Sequence, residues 1–527
     1  MLNPKRGAFA LLLHSHLPYV RQARAWPHGE EMVHEAICDS YLPLLDVLYD
    51  LAEQNVPFRI AIGITPVLAE QLADPLIVEN FRSYMGALQG RIEEAIVAYQ
   101  RSGDTDLAGL AAWYVARHQA ILDHFNGRYG GNIVQAFRRL ADQGLIEIVG
   151  SAATHAFMPL LSRDSSITAQ IATGLQAHER HFGRKPAVFW LPECGYRPAY
   201  YDVSGGQAQF RPGLESHLER HGLRACFADS TPIDGSQVAD LISGSGASDA
   251  LATPSQERLQ DASTSRPHLV ADSSVAVFFR DALTSRQVWS AEGYPGHATY
   301  REFHKKDASC GLRLWCVTGP DVDLADKELY DPELALHDVA AQADHFVALL
   351  QRHLAASALD GAMPPFVLAP YDTELFGHWW FEGVAWLEQV LRRLAEHPDI
   401  ELTTPTGYLD RFPPTDSITL PESSWGAGSD ARTWQNDHTS WMWSISHQYE
   451  RQMEDLLSQQ STANANAPAV LAQIARELLL LQGSDWPFLI STGQAPDYAS
   501  QRFRTHAARF DRLVDQLLSG RESSRDL

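Results

Sequence analysis

Two carboxylates each follow an apolar run and sit in a shell of aromatic residues. Glu193 lies in Trp190-Leu191-Pro192-Glu193-Cys194-Gly195-Tyr196, directly after Ala187-Val188-Phe189. Asp372 lies in Pro370-Tyr371-Asp372-Thr373-Glu374-Leu375-Phe376-Gly377-His378, directly after Phe366-Val367-Leu368-Ala369. If the apolar runs are strands of a parallel barrel, both carboxylates leave carboxyl ends, where active sites collect. Two carboxyl groups facing one sugar ring are the minimum equipment for breaking a glycosidic bond. The structural alternative is that Glu193 caps a helix and Asp372 opens a turn.

Three histidines sit at comparable places. His14 and His16 close the first apolar run, and residues two apart on a strand face the same side. His155 follows the third run. Such a cluster can be a set of hydrogen-bonded structural histidines. It can be a metal site, since H-x-H after a first strand with a further His and an Asp is a ligand set of metal-dependent barrel hydrolases. It can also hold sugar hydroxyls beside a carboxylate pair, imidazole being donor and acceptor at once. Glu193 favours the last, because a metal hydrolase has no need of a carboxylate in that aromatic setting. This reading calls for no cofactor and no metal.

Seven of the thirteen tryptophans fall between residues 379 and 443. Trp425 and Trp434 lie in a glycine- and serine-rich stretch, so they are expected on the wall of a cleft rather than in the core. Flat aromatic faces there would stack on the apolar face of a pyranose. Trp386, at helical spacing with Leu387 and Val390, reads as core.

The elements that must position these residues are short, uninterrupted apolar runs. They are Phe9–Leu13, Phe58–Ile64, Ile146–Val149, Ala187–Leu191, Ala225–Phe227, Val275–Phe279, Leu314–Val317 and Phe366–Ala369, with Ile400–Leu402 weaker. Continuous rather than alternating hydrophobicity marks strands of a parallel sheet covered by helices, and helical patterns separate most of the runs. An α/β barrel follows, expected over residues 1–410. A helical insertion is expected at about 85–142 and a long mobile loop at about 230–274, the latter rich in Ser, Ala, Gly and Asp. Residues 411–527 read as a C-terminal helical domain, with apolar spacing over Ala469–Leu481 and Ala507–Leu518.

Bulk properties narrow the function classes. A chain of 527 residues exceeds one ordinary core. Its formal net charge of −23 argues against nucleic acid and anionic membrane surfaces as partners, though not against a neutral polymer. The five cysteines are odd in number and form no C-x-x-C pair, which predicts a reducing, cytoplasmic setting. Lys5 and Arg6 before an apolar run mimic a short signal peptide, but His14 and His16 stand where a cleavage site belongs, so a first core strand is predicted. No apolar run approaches the ~20 residues of a membrane helix.

Several of these segments are similar to the motifs of one family. His14-Ser15-His16-Leu17-Pro18-Tyr19, the Trp190–Tyr196 and Tyr371–Trp380 segments, and Thr404-Pro405-Thr406-Gly407-Tyr408-Leu409 resemble conserved regions of glycoside hydrolase family 57, most nearly its 1,4-α-glucan branching members. Thr284–Trp289, Gly293-Tyr294-Pro295-Gly296 and Gly483-Ser484-Asp485-Trp486-Pro487-Phe488 match as well. The resemblance implies a (β/α)7 barrel with a helical insertion and a C-terminal helical domain, and a retaining mechanism without metal. It makes Glu193 the nucleophile and Asp372 the general acid/base. It places His14, His16 and His155 around the donor sugar, and Trp289, Trp425 and Trp434 against substrate; Trp379 joins them as a substrate-binding candidate.

One departure stands out. The branching members are similar to one another in a long loop whose tip carries a tyrosine over the catalytic centre, yet this chain has no tyrosine between Tyr201 and Tyr294. The expectation is therefore α-1,6 branching of an amylose- or glycogen-like glucan with raised hydrolysis. The alternatives are an α-amylase-like hydrolase, a metal-dependent barrel hydrolase using His14, His16, His155 and Asp372, and an inactive glucan-binding protein. Oligomeric state has no signature in the sequence.

Overall fold

The computed structural model describes residues 5–23, 27–203, 206–235, 259, 262–290, 292–357, 363–459 and 467–519. Twelve strands occur among them: β1 (Gly7–Ser15), β2 (Ile60–Ile64), β3 (Ile146–Ser151), β4 (Val188–Trp190), β5 (Tyr200–Asp202), β6 (Gln209–Arg211), β7 (Ala225–Ala228), β8 (His268–Val270), β9 (Ala276–Phe279), β10 (Phe366–Asp372), β11 (Ile400–Leu402) and β12 (Ser417–Ile418). Seven of them, in the order β10-β1-β2-β3-β4-β7-β9, pair in parallel. A bridge between Arg280 and Leu368 joins β9 back to β10 and closes the ring. This is the (β/α)7 barrel, and the buried strands explain the uninterrupted apolar runs. Every residue of β1 is buried, which makes Gly7–Ser15 a core strand.

Two short strands extend the sheet beyond the ring: β8 runs antiparallel to β9, and β12 pairs with β8. The run Leu314–Val317 is not a sheet strand. Leu314 and Cys316 are buried, but the segment makes only isolated bridges, Arg301 to Cys316 and Trp315 to Leu329. An apolar run of four residues is as readily a loop pressed onto the core as a strand.

The helical excursion between β2 and β3 starts ahead of residue 85, with helices Pro66–Ala73 and Pro75–Ser102. The second start is local chemistry: Asp74 accepts from the Leu76 amide as N-cap, and Pro75 takes the first helical position, where its missing N–H costs nothing. Thr105–Asp123 and Ile133–Asp142 complete it. Most of the expected loop at 230–274 lies outside the described residues; its flanks hold a short helix, Thr231–Asp234, and β8.

The C-terminal helices are Ser440–Ser458, Ala467–Leu481, Asp485–Ser491 and Pro496–Ser519, with a core of their own built on Ile474, Phe503 and Phe510. They begin well after 411. Ile418 and Leu420 are buried with the barrel residues, so the stretch after Pro413-Pro414 continues along the sheet before turning helical. No helix among the described residues is long and apolar enough to cross a membrane.

Candidate active site

The strand ends bring three histidines and two carboxylates to one mouth. His14 on β1 pairs in register with Asp372, the last residue of β10, and with Gly63 on β2. A side chain at position 63 would approach His14 Nδ1 to 3.2 Å, so glycine leaves the imidazole its room. His14 lies flat on Trp190, with ring centroids 4.7 Å apart. Trp190 ends β4 and is buried, so it forms the floor. His16, two residues on, stacks on His155 at 3.8 Å.

The sharp turn after β4 aims Glu193. Its φ is 62° and that of Cys194 is 50°, both in the left-handed region that side chains avoid. His155 has φ 56°. Such backbone is retained where surroundings overdetermine it, and it clusters at functional sites. The Trp425 amide holds the turn by donating to the Glu193 carbonyl at 3.0 Å.

The hydrogen bonds around Glu193 have one direction. Trp425 Nε1 donates to Oε2 at 2.7 Å, and Ser484 Oγ donates to Oε1 at 2.9 Å. With its proton given to the carboxylate, Ser484 Oγ accepts from His155 Nδ1 at 2.9 Å. Burial pushes the pKa of His155 well down, and of His14 likewise, so both rings are neutral. His155 Nε2 is then an acceptor, and His14 Nε2 donates to it at 3.0 Å. The tautomers follow from the network, and His14 Nδ1, buried without a partner, is left with a lone pair rather than a stranded proton. A relay of donors thus runs His14, His155, Ser484 and ends on the Glu193 carboxylate.

His16 behaves differently. Burial lowers its pKa, but the Asp485 carboxylate more than compensates, receiving Nε2 at 3.0 and 3.1 Å. The net shift is upward, and His16 Nδ1 meets Thr65 Oγ1 at 3.0 Å.

The two carboxylates are pushed apart in acidity. Burial raises the Glu193 pKa, and the hydrogen bonds from Trp425 and Ser484 hold that rise in check. Asp372 is raised well above the carboxylate range, by burial first and then by the negative charges of Glu374 and Glu193. The proton of the pair therefore belongs to Asp372 and the charge to Glu193. Glu374 is buried too, raised to about 7 by that burial, and accepts from the Tyr41 hydroxyl at the end of the π-helical turn Ile37–Tyr41.

The tryptophans divide. Trp425 is in the site. Trp289, ending the helix Ala282–Trp289, and the exposed Trp379 form a separate pair 6.4 Å apart after β9 and β10. Trp434 does not line a cleft: it is 1% exposed and stacked on Phe157 at 4.2 Å and 13°. Gly426 is a docking device rather than a sign of exposure, since a Cβ there would lie 2.7 Å from the Trp434 ring.

Four partners were not legible as such. Ser484 and Asp485 come from the C-terminal helices, delivered by a bridge from Gly483 to Ala156 and by the Ser484 amide bonding the His155 carbonyl at 3.0 Å. Their signal was the polar Gly483-Ser484-Asp485 break between two apolar helical stretches. Arg280 and Asp229 form a buried ion pair, with the guanidinium 5.8 Å from the Trp425 ring centre. Among the described residues no group of three or more His, Cys, Asp or Glu side chains is arranged to hold a metal ion.

Comparison with known proteins places this arrangement. Residues 10–421 match the family model for glycosyl hydrolase family 57, and residues 445–527 match that of the 1,4-alpha-glucan branching enzyme C-terminal domain. The chain is 41% identical over 516 residues to a 1,4-alpha-glucan branching enzyme from Thermococcus kodakarensis, covering 97% of this chain and 74% of that protein. A crystal structure of that archaeal enzyme superposes with a TM-score of 0.89, covering 98% of this chain and 91% of the other. The branching enzyme from Pyrococcus horikoshii gives a TM-score of 0.89 at 40% identity, covering 99% and 93%. An alpha-amylase from Thermotoga maritima gives 0.82 at 30% identity, covering 98% and 95%.

Proposed function

This chain belongs to glycosyl hydrolase family 57, and we propose that Glu193 and Asp372 carry its chemistry by a retaining double displacement. Its activity is that of a 1,4-α-glucan branching enzyme acting on α-glucan. The observation that carries the assignment of roles is the asymmetry of the two carboxyls: Glu193 accepts two directed hydrogen bonds that favour its charge, while Asp372 is surrounded by burial and like charge.

The ionised Glu193 attacks the anomeric carbon of an α-1,4-linked glucose. As the bond from that carbon to the leaving oxygen breaks, Asp372 gives this oxygen its proton. The result is a glucosyl ester on Glu193. Esterification removes the Glu193 charge, one cause of the raised Asp372 pKa, and so makes the Asp372 carboxylate easier to keep. Asp372 then takes the proton of an acceptor 6-hydroxyl as that oxygen attacks the anomeric carbon, the bond from this carbon to Glu193 breaks, and the α-1,6 branch is released with the Glu193 carboxylate restored. His14, His16 and His155 form the wall of the donor-sugar site, and the bonds of their ring nitrogens to one another, Ser484, Asp485 and Thr65 fix how the rings are set. Trp289, Trp379 and Trp425 offer aromatic faces to the glucan.

The lack of a tyrosine between Tyr201 and Tyr294 favours a larger share of water as acceptor, because exclusion of water is what favours transfer. The five cysteines are all buried free thiols, which suits a cytoplasmic enzyme building a glycogen-like store.

Incubation with amylose tests this reading, counting new α-1,6 linkages against new reducing ends. Both kinds of product are expected, with linkages retaining the α configuration, and Glu193→Gln should abolish both while the fold and glucan binding persist. Normal turnover by Glu193→Gln would refute the nucleophile.

A further inference from the structure

We propose that the chain carries a second ligand site, for a phosphate-bearing molecule, behind the catalytic histidines. A cleft of about 900 Å³ separates the barrel helices Pro66–Ala73 and Asp164–Phe182 from the C-terminal helices Ala467–Leu481 and Pro496–Ser519. Five arginines line it: Arg21, Arg180, Arg476, Arg509 and Arg512. In a chain of net charge −23 such a convergence is against the trend of the surface. The cleft holds two carboxylates, Glu70 and Glu477, and both are engaged. Glu70 takes Arg180 and, at 2.9 Å, His181. Glu477 takes His506 at 2.8 Å and Gln473 at 2.9 Å.

The arginines divide accordingly. Arg21 is paired with Asp74 at 2.5 Å and Arg180 with Glu70. On the opposite wall Arg476 meets only the neutral Gln473 oxygen, at 3.2 Å, and Arg509 and Arg512 form no ion pair among the described residues. Arg509 lies in the field of Glu477, whose acidity it helps to raise, while Arg476 and Arg512 have no carboxylate partner among the described residues, so positive charge on these two adjacent helices is in excess at the cavity. Guanidinium forks match phosphate oxygens in pairs, and a phosphomonoester brings about −1.5 to −2 charge at neutral pH. The volume lies in the range of small-molecule sites and exceeds the need of a bare ion.

The cleft shares its wall with the active site. Ala153 and Thr154 line it from one side and Leu479 and Leu480 from the other. Thr154 Oγ1 donates to the Leu479 carbonyl. The residues that follow these segments, His155 and Ser484, are the relay onto Glu193. The cleft's occupant therefore rests on the backbone that places the relay, whatever the role of Glu193.

Isothermal titration of the full chain at constant ionic strength tests the site, with inorganic phosphate, glucose 6-phosphate and glucose as probes. Saturable binding of a phosphate probe and none of glucose in the same range is expected. Arg509→Gln/Arg512→Gln should weaken it about tenfold or more, through loss of charged hydrogen bonds, with amylose turnover kept as proof of fold. Arg476→Gln should weaken it in the same direction. Glucose 6-phosphate binding tighter than phosphate makes the ligand a sugar phosphate, and equal binding makes it the inorganic ion. Absence of saturable binding by either phosphate probe, or undiminished binding in the double variant, would overturn the site.

Discussion

Replacing Trp425 by Phe keeps an aromatic ring against Trp190 but deletes the N–H that reaches Glu193 Oε2 at 2.7 Å. Hydrogen bonds to charged groups contribute about 1.5–3 kcal/mol, and one pKa unit corresponds to about 1.4 kcal/mol. Glu193 is already raised by burial and restrained by two hydrogen bonds, of which Trp425 is the larger influence. Losing it should raise the Glu193 pKa by about 1–2 units. Glu193 must be ionised to attack, so the acid limb of kcat/KM against pH should move up by that amount. Below the limb, activity falls about ten- to a hundredfold; above it, the deficit shrinks. The alkaline limb, set by the proton of Asp372, should move less. Ser484→Ala, which cuts the relay on the other oxygen, should shift the same limb in the same direction. A uniform drop in kcat/KM with an unmoved acid limb would mean that Trp425 acts by stacking alone.

Two further perturbations separate structure from catalysis. Glu374 has its pKa raised from 4.5 to about 7 in the fold, so its contribution to stability is full below pH 4.5 and is lost as pH rises to about 7; Glu374→Gln should gain up to ~3 kcal/mol on the parent across that window in urea unfolding, and parallel curves would refute the shift. Trp434→Ala should cost about 3–5 kcal/mol of stability by emptying its packing against Phe157; an unchanged melting temperature with weaker glucan binding would return this ring to the cleft.

The chemistry-bearing residues and the class of fold were legible because both are written locally. Glu193 and Asp372 each follow an apolar run, and burial on both faces of a parallel strand leaves a continuous apolar signature. His14 and His16 share a face because a strand alternates. What only the tertiary structure decided depends on contacts between distant segments. Leu314–Val317 looks like a strand, but a strand needs a partner ladder, and this segment makes isolated bridges and buries Leu314 and Cys316 instead. Trp434 sits near glycines that read as a loop, and one of them, Gly426, turns out to leave the space its ring occupies. The role of Ser484 could not be read from its own neighbourhood, since it lies 291 positions from Glu193 along the chain. Nor could the acidities: identical carboxyl groups at two strand ends diverge only once burial, Trp425 and Glu374 surround them unequally. Sequence names the groups, while electrostatic environment assigns their roles, because charge and desolvation act through space and not along the chain.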